Sequence, residues 1–346
     1  MAKRCLTILM ILSLLFCGCA APADSKETEP QEESSASSEG GPKALLKVGE
    51  ETLPLKIAQI FALSQKQQYE TAFGSSIWKV EYQGRTFEQT LKDNFRTHIA
   101  LMFTSFCLAK YEGLTLSAEE EKTLREAANA CFDQLDAEDV RILQVSSADT
   151  EETLRMYLMA KKIYRQTAGS VELDLSEDET RVISLQEIRI STEGLEGVEK
   201  DQKLTLAAEA LNMLEKGEEF TKVAEKYSDT GAGIYSASRE TLTNAETKAA
   251  FALATDEYSP VVTLSNAYVI FYCVDSFDKA ASEMRRMELL QDMVDQGYKE
   301  KINRFLGGHP LIWNEANWNA IEIADYEGPA AASIYAVYEK YFPEVP

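Results

Sequence analysis

Residues 259–275 read SPVVTLSNAYVIFYCVD, two apolar runs separated by a polar break at Ser265 and Asn266. Two such runs around a short polar turn are the sequence form of a β-hairpin. Upstream, RVISLQEIRI at residues 181–190 alternates apolar and polar residues, which is typical of a half-buried strand. The predicted hairpin is unusually apolar for such an acidic chain. We expect it to line either a catalytic site or a surface that binds apolar groups.

Helical patterns separate the upstream strand from the hairpin, at 201–216, 218–227 and 245–253, with a glycine-containing loop before the last. The segment therefore reads as a β-α-α-α-β-β unit. The flanking regions are helical. The N-terminal part, residues 43–170, is almost entirely α, and the patterns Thr86 with Gln89 and Ser117 with Glu120 predict capping boxes.

The C-terminal part, residues 279–346, begins with a long charged amphipathic helix and ends in aromatic-rich segments. We expect these helices to pack back on the N-terminal ones. The predicted fold class is α+β: a mainly helical lobe formed by the N- and C-terminal segments, with an α+β domain inserted at residues 178–278. Trp313 and Trp318 are expected to be core anchors of the returning segment.

The first residues read as an export signal, because Lys3 and Arg4 precede an apolar stretch that is too short to span a bilayer permanently. The following LLFCGC resembles the bacterial lipobox, which implies a signal peptide at 1–18 and lipid attachment at Cys19. The alternative is simple secretion with cleavage near Ala21 or Ala23. Residues 19–42 are polar and predict a disordered tether.

The formal net charge of −22 argues against nucleic acid and against electrostatic adsorption on anionic lipid. Membrane contact is expected through the lipid anchor. The chain has two histidines, His98 and His309, so a histidine-based metal site and a cofactor are not expected. His98 lies in a helix pattern and is expected to be structural. Cys107 and Cys131 either pair or, as we expect, remain buried thiols.

The stretch GEEFTKVAEKYSD, residues 217–229, reads by itself as a core helix. Taken in order with the preceding strand, with AAFALATDEYSPVV at 249–262 and with AYVIFYCVD at 267–275, it resembles the parvulin-type peptidyl-prolyl isomerases. The resemblance covers residues 178–278. With the export signal and the helical flanks, the chain resembles the PrsA/SurA-type foldase lipoproteins over nearly its whole mature length.

The chain departs from the parvulin pattern at the family's catalytic positions. The resemblance places Glu187 and Val269 where the family has its two histidines, and Thr230 at an acidic or cysteine position. The resemblance therefore assigns no catalytic residue in this chain. A carboxylate facing Val269 is expected to be poorly compensated.

The resemblance places the proline pocket at Leu242, Glu246 and Phe251, of which only Phe251 matches the family. Rotation about an X-Pro bond faces a barrier of about 18–20 kcal/mol. An isomerase lowers it with an apolar groove and placed polar groups. Leu242 and Phe251 retain an apolar floor for binding a polypeptide, while both histidine positions lack imidazole.

The resemblance implies an extracytoplasmic, membrane-tethered foldase or chaperone that binds unfolded exported polypeptides, with weak or lost isomerase activity. The alternative is an active peptidyl-prolyl isomerase that acts on X-Pro bonds of secreted proteins. A scaffold lipoprotein with one dedicated partner is a third possibility.

Overall fold

The computed structural model describes residues 43–172, 174–330 and 332–343. It divides into a first unit, residues 43–171 with the described residues from 295 onward, and a second unit, residues 172–294. The fold class is α+β with a helical lobe, as the sequence predicts. The predicted signal peptide, the tether and Cys19 lie outside the described residues.

The first unit is mainly helical. Its elements are β1 (Ala44–Val48), β2 (Glu51–Pro54), α1 (Leu55–Phe73), a 3-10 turn (Ser75–Lys79), β3 (Glu81–Tyr82), β4 (Arg85–Thr86), α2 (Phe87–Tyr111), α3 (Ala118–Phe132), α4 (Ala137–Leu143), α5 (Ser147–Ala168), the end of α10 (Lys279–Leu306), β9 (Leu311–Trp313), α11 (Glu315–Asn319) and α12 (Ile334–Tyr341).

Both predicted capping boxes are present, and they fix where α2 and α3 begin. The Thr86 hydroxyl accepts from the Gln89 amide while the Gln89 side chain accepts from the Thr86 amide, and Ser117 and Glu120 do the same. Each box satisfies two amides that a helix start leaves without a partner. The sequence did not predict α4, a short helix that begins after the Asp136 cap.

The C-terminal part of the first unit returns to the N-terminal part. Strand β9 pairs antiparallel with β1, with Leu46 opposite Trp313. Trp318 is buried and its ring stacks on Phe95 at 6.1 Å, which confirms that it is a core anchor. Cys107 and Cys131 are buried free thiols.

The second unit contains a four-stranded antiparallel sheet in the order β6-β5-β8-β7. Its elements are α6 (Glu177–Thr180), β5 (Val182–Ser191), α7 (Gly197–Glu215), α8 (Phe220–Tyr227), β6 (Tyr235–Ser238), α9 (Asn244–Ala250), β7 (Val262–Thr263), β8 (Ala267–Asp275) and the start of α10. The sequence predicted β7 and β8 as the hairpin but read β6 as loop, because YSAS is short and lacks an apolar run.

The sheet register decides which side chains share a face. Ile188 and Ile190 of β5 pack with Tyr268 and Ile270 of β8 against helices α7 and α8. Because strand side chains alternate between faces, Val269 lies on the opposite face, in a cluster that includes Phe251. Tyr268 therefore points away from the face of the predicted site.

Helix α10 begins on the second unit, so the predicted boundary at residue 279 is too early for packing on the helical lobe. The reason is local. The Ser282 hydroxyl accepts from the Val182 amide at 2.9 Å, and Arg285 forms an ion pair with Glu240. Residues 279–294 thus complete the second unit. No helix among the described residues is long and apolar enough to cross a membrane.

Candidate functional site

Strand β5 places Glu187 and Arg189 on the same face of the sheet as Val269. Glu187 pairs with Phe271 and Arg189 pairs with Val269 across the β5-β8 ladder. Val269 has 0% exposure and offers no polar atom in its side chain. Two of the three predicted positions, Glu187 and Thr230, are in direct contact, since the Thr230 hydroxyl lies 3.3 Å from Glu187 Oε1.

The YSD motif, residues 227–229, brings Thr230 next to Glu187 because its Ser and Asp bind the main chain of β5. The Ser228 hydroxyl accepts from the Arg189 amide at 3.1 Å, and the Asp229 amide donates to the Arg189 carbonyl at 2.8 Å. The Asp229 carboxylate also accepts from the Ser191 amide at 2.7 Å. Ser228 and Asp229 therefore act as structural residues that fix the loop beside the strand.

Arg189 neutralises Glu187, so the expectation of a poorly compensated carboxylate is wrong. Arg189 Nε donates to Glu187 Oε1 at 2.7 Å, and a terminal guanidinium nitrogen donates to Glu187 Oε2 at 3.2 Å. The hydrogen bond to Glu187 is the main reason that the pKa of Arg189 is raised. Such a two-point contact fixes both side chains and is stronger than a single neutral hydrogen bond.

Glu246 completes the cluster from helix α9. It is buried at 8% side-chain exposure, and its Oε1 accepts from Arg189 at 2.6 Å. Its Oε2 accepts from the Thr243 amide at 2.9 Å and the Thr243 hydroxyl at 2.7 Å. Burial raises the pKa of the Glu246 carboxyl, but these hydrogen bonds outweigh it and hold the pKa below the ordinary value.

Tyr235 of β6 binds the second carboxylate oxygen of Glu187. Its hydroxyl donates to Glu187 Oε2 at 2.9 Å. Burial, followed by the neighbouring Glu187 charge, raises the pKa of the Tyr235 hydroxyl. We call Glu187, Arg189, Tyr235 and Glu246 the polar cluster. Its members bind one another, so much of their hydrogen-bonding capacity is used within the cluster.

Phe251 and Leu242 lie beside the polar cluster, in the same hydrophobic cluster as Val269. Phe251 is 8% exposed. The guanidinium carbons of Arg239 and Arg181 lie 4.6 and 5.4 Å from the centre of its ring. Contacts of this kind are attractive. Arginine side chains therefore contact the apolar floor that the sequence predicted.

Sequence reasoning missed Arg189 and Tyr235. The signal for Arg189 was present, because a strand residue two positions after Glu187 must share its face. Tyr235 carried no such signal, since β6 was read as loop. Within the described ranges, no group of three or more histidine, cysteine or acidic residues is placed to hold a metal ion.

The comparisons with known proteins agree with this geometry over the second unit. Residues 188–275 match the Rotamase family model, described as the PPIC-type PPIASE domain. No curated protein sequence matches the chain.

Solved structures give remote similarities. Peptidylprolyl isomerase PrsA from Bacillus cereus is 15% identical with a TM-score of 0.36, over 76% of this chain and 97% of that chain. Foldase protein PrsA from Lactococcus lactis is 13% identical with a TM-score of 0.32, over 86% and 99%. One of two SurA-like chaperones from Campylobacter jejuni is 10% identical with a TM-score of 0.25, over 78% and 99%. The parvulin resemblance predicted from the sequence is confirmed at residues 188–275, and the chain carries a PPIC-type parvulin domain.

Proposed function

We propose that this chain is an extracytoplasmic foldase-type chaperone that binds incompletely folded exported polypeptides, and that its parvulin domain has weak or lost isomerase activity. The observation that carries the proposal is the polar cluster. Glu187 and Glu246, at positions that the resemblance assigns to the parvulin site, are both satisfied by Arg189. An isomerase must instead direct polar groups at the twisted amide of its substrate.

The proline pocket supports the same conclusion. Glu246 is a hydrogen-bonded carboxylate at a position where the family has an apolar ring, so the pocket has lost apolar surface. A proline ring gains little by leaving water for such a site. Phe251 keeps part of the apolar surface of the pocket, which favours weak binding of an unfolded polypeptide over catalysis.

The test of chaperone function is aggregation of a refolding client. The purified chain is expected to suppress light scattering from several chemically denatured clients at near-stoichiometric ratios. An equal concentration of bovine serum albumin serves as the control for nonspecific protein. Absence of suppression across all clients would count decisively against the proposal.

The alternative, an active peptidyl-prolyl isomerase, is favoured by the family match over residues 188–275. An NMR exchange or protease-coupled assay on short X-Pro peptides separates the two proposals. We expect rates close to those in buffer. Acceleration that Phe251→Ala abolishes, and that Phe277→Ala at an exposed position leaves intact, would establish the alternative.

Membrane tethering is part of the proposal and rests on the lipobox resemblance at Cys19. In a bacterial host, metabolic labelling with a fatty-acid analogue should label the chain. Cys19→Ser should abolish labelling and release the chain from the membrane, whereas the matched control Cys17→Ser should keep both. Labelling that survives Cys19→Ser would contradict the anchor.

A further inference from the structure

In the first unit, the end of α1 and the small hairpin of β3 and β4 expose apolar side chains to solvent. Tyr82 is 75% exposed, and Phe73 and Val80 are each 48% exposed. Ile77 and Trp78, in the 3-10 turn between α1 and β3, are half-buried. We call these five residues the hairpin patch. Apolar patches on an exposed surface mark places that contact another protein or a membrane.

Ring contacts join the hairpin patch into one surface. The Phe73 ring stacks on Tyr69 with 6.4 Å between ring centres, and Tyr69 meets Phe87 edge-on at 5.1 Å. The Trp78 ring lies 5.6 Å from Phe87. The Phe87 amide donates to the Val80 carbonyl at 2.8 Å, which ties the hairpin to the start of α2. The exposed side chains therefore stand on a packed aromatic base.

The backbone of the hairpin presents Val80 and Tyr82 on one side. Residues two apart in an extended chain share a face, so these two side chains point the same way. Gln83 and Gly84 have φ values of 53° and 77°, and two positive values are what a tight type I′ turn requires. Tyr82 pairs with Arg85 across this turn. The turn therefore holds Tyr82 at the tip of a defined hairpin.

Charge distinguishes the hairpin patch from most of this acidic chain. Residues 71–80, TAFGSSIWKV, contain one charged residue, Lys79, although the chain has a formal net charge of −22. Glu70 and Glu81 flank the stretch. Trp and Tyr rings, which are apolar with one polar atom, are enriched where membrane proteins meet the lipid headgroups. The composition of the patch therefore fits contact with a bilayer.

The distance from the predicted tether to the hairpin patch matches the expected length of the tether. The tether joins the first unit at Lys43, whose carbonyl accepts from the Leu55 amide at 2.7 Å, beside the first turn of α1. Phe73 is the last of the 19 residues of α1, and a helix of that length measures about 28 Å. A flexible chain as long as residues 19–42 spans about 27 Å on average. A patch lying on the bilayer would therefore leave Lys43 within reach of an anchored Cys19.

We propose that the hairpin patch is a second membrane contact, which places Val80 and Tyr82 at the headgroup level of the bilayer that anchors Cys19. The inference rests on the proposed membrane tethering and goes beyond it, because it determines which face of the first unit lies on the membrane. The contact is apolar and needs no anionic lipid. The anchor keeps the bilayer close, so a contact too weak to hold the free chain can orient the tethered one.

The test couples the chain to vesicles through Cys19. A chain that starts at Cys19 reacts there with a maleimide lipid, because the cysteines among the described residues are buried thiols. Brominated phosphatidylcholine quenches tryptophan fluorescence at short range. We expect it to quench the tethered chain, and Trp78→Phe to remove that quenching. Absence of quenching, or quenching by the two C-terminal tryptophans that survives Trp78→Phe, would overturn the proposal.

Substitutions at exposed positions test the same contact without altering the core. Val80→Asp with Tyr82→Asp should abolish quenching, because charged side chains are costly in the membrane. Val198→Asp with Tyr111→Asp is the matched control, since it changes the same residue types at positions 72% and 70% exposed, and it should keep the quenching. Equal loss in both pairs would show that added charge alone explains the effect and would overturn the proposal.

The lipid composition tests whether the contact is apolar. Quenching should be as strong in vesicles of phosphatidylcholine alone as in vesicles that also contain anionic phosphatidylglycerol. Quenching confined to the anionic vesicles would show an electrostatic contact and contradict the proposal.

A polypeptide and a second copy of the chain are the other possible occupants. Val80→Asp with Tyr82→Asp should leave both the suppression of client aggregation and the sedimentation coefficient of the lipid-free chain unchanged. A change in either, in a tethered chain whose quenching is unaffected, would assign the hairpin patch to polypeptide binding or self-association and overturn the membrane contact.

The outcomes separate this inference from the proposed tethering. Fatty-acid labelling at Cys19 without quenching at Trp78 removes the second contact and leaves the anchor standing. Quenching at Trp78 in the coupled chain, with no fatty-acid labelling in the bacterial host, keeps the membrane-contact surface and removes the lipid anchor.

Discussion

The polar cluster of the second unit and the contacts of α1 with residues 321–326 in the first unit both place polar side chains in buried positions, but they use them differently. In the polar cluster, Arg189 binds Glu187 and Glu246, so side chain satisfies side chain. In the first unit, Gln59 and Lys66 bind carbonyl oxygens of residues 321–326, the segment between α11 and α12. Both arrangements are satisfied within the chain: the first joins side chains to side chains, and the second joins side chains to the main chain.

This difference separates polar side chains that satisfy one another from polar side chains that satisfy a buried main chain. A buried ion pair gains little over well-packed apolar residues, but removing one partner is strongly destabilising. Side chains that bind main-chain atoms instead fix the path of a segment, because each contact satisfies a backbone group that burial would otherwise leave without a partner. In the second unit, Arg189 therefore has a structural role, because it satisfies two largely buried carboxylates.

The largest expected effect comes from Arg189→Leu. It leaves the Glu187 and Glu246 carboxylates buried, close together and without a cation, and should destabilise the second unit by about 3 kcal/mol or more. Urea unfolding of the full chain at pH 7, with probes in both units, measures the loss. Arg286→Leu, at an exposed position, is the control and should change stability by less than about 0.5 kcal/mol.

The pH response of Arg189→Leu tests the cause. Without the guanidinium, burial and the nearby Glu187 charge should raise the pKa of the Glu246 carboxyl above its unfolded value. Stability is then lowest when both are charged and recovers as the pH falls and protons bind. A loss that persists unchanged at acidic pH would show that packing, not charge, explains the destabilisation.

The second prediction compares the acid sensitivity of the two units. Burial, with a smaller effect of Lys161, lowers the pKa of His98 in α2 from 6.5 to about 4. The unfolded chain therefore binds a proton before the folded chain does. Stability of the first unit should fall as the pH drops from about 6.5 to 4, by roughly 3 kcal/mol in total.

The second unit should respond later. Glu246 has a pKa below its ordinary 4.5, so its stabilising contribution is present above about pH 4.5 and is lost as the pH falls through the folded value. When thermal unfolding is followed at pH 7, 5.5 and 4.5, the melting midpoint of the first unit should therefore begin to fall at a higher pH than that of the second unit. His98→Gln should remove most of that change, and equal sensitivity of both units would contradict the assignment.

Much of the fold followed from the sequence because its signals are local. The capping boxes at Thr86 and Ser117, the helix periods and the hairpin of β7 and β8 each depend on residues close in the chain. The register also followed, since a strand alternates faces and one assignment places Val269 with Phe251.

The polar cluster was harder to predict because its contacts are long-range. Arg189 meets Glu246 across 57 positions and Tyr235 meets Glu187 across 48. The resemblance located Glu187 and Glu246 separately but gave no reason to pair them through Arg189. The contacts of Gln59 and Lys92 with residues 321–326 left no sequence signal either, since both look like ordinary polar helix residues.

The third prediction concerns the packing of residues 321–326 in the first unit. Ile323→Ala should weaken the packing of residues 321–326 by about 2 kcal/mol, within the range for a buried isoleucine. Amide exchange at those residues should speed up, whereas the second unit should be unaffected. Uniform destabilisation of the first unit would indicate a rigid core segment instead.

The smallest expected effect concerns isomerase activity after both histidines are restored. Glu187→His with Val269→His places imidazoles on one face of the sheet, but Glu246 stays in the pocket and Arg189 loses one partner. The Arg189 charge also disfavours protonation of either imidazole. We expect less than about a tenfold rise over the unaltered chain in NMR exchange on X-Pro peptides.

Adding Glu246→Phe to that pair tests which feature limits the site. It restores the aromatic ring that the resemblance places in the pocket and removes a carboxylate that Arg189 binds. If pocket polarity is the main limit, the triple variant should isomerise X-Pro peptides faster than the double one. A matched triple variant with Glu209→Phe, at an exposed position of α7, should behave like the double variant. A double variant that already approaches full activity would show that imidazole alone was missing and that the polar cluster is no obstacle to catalysis.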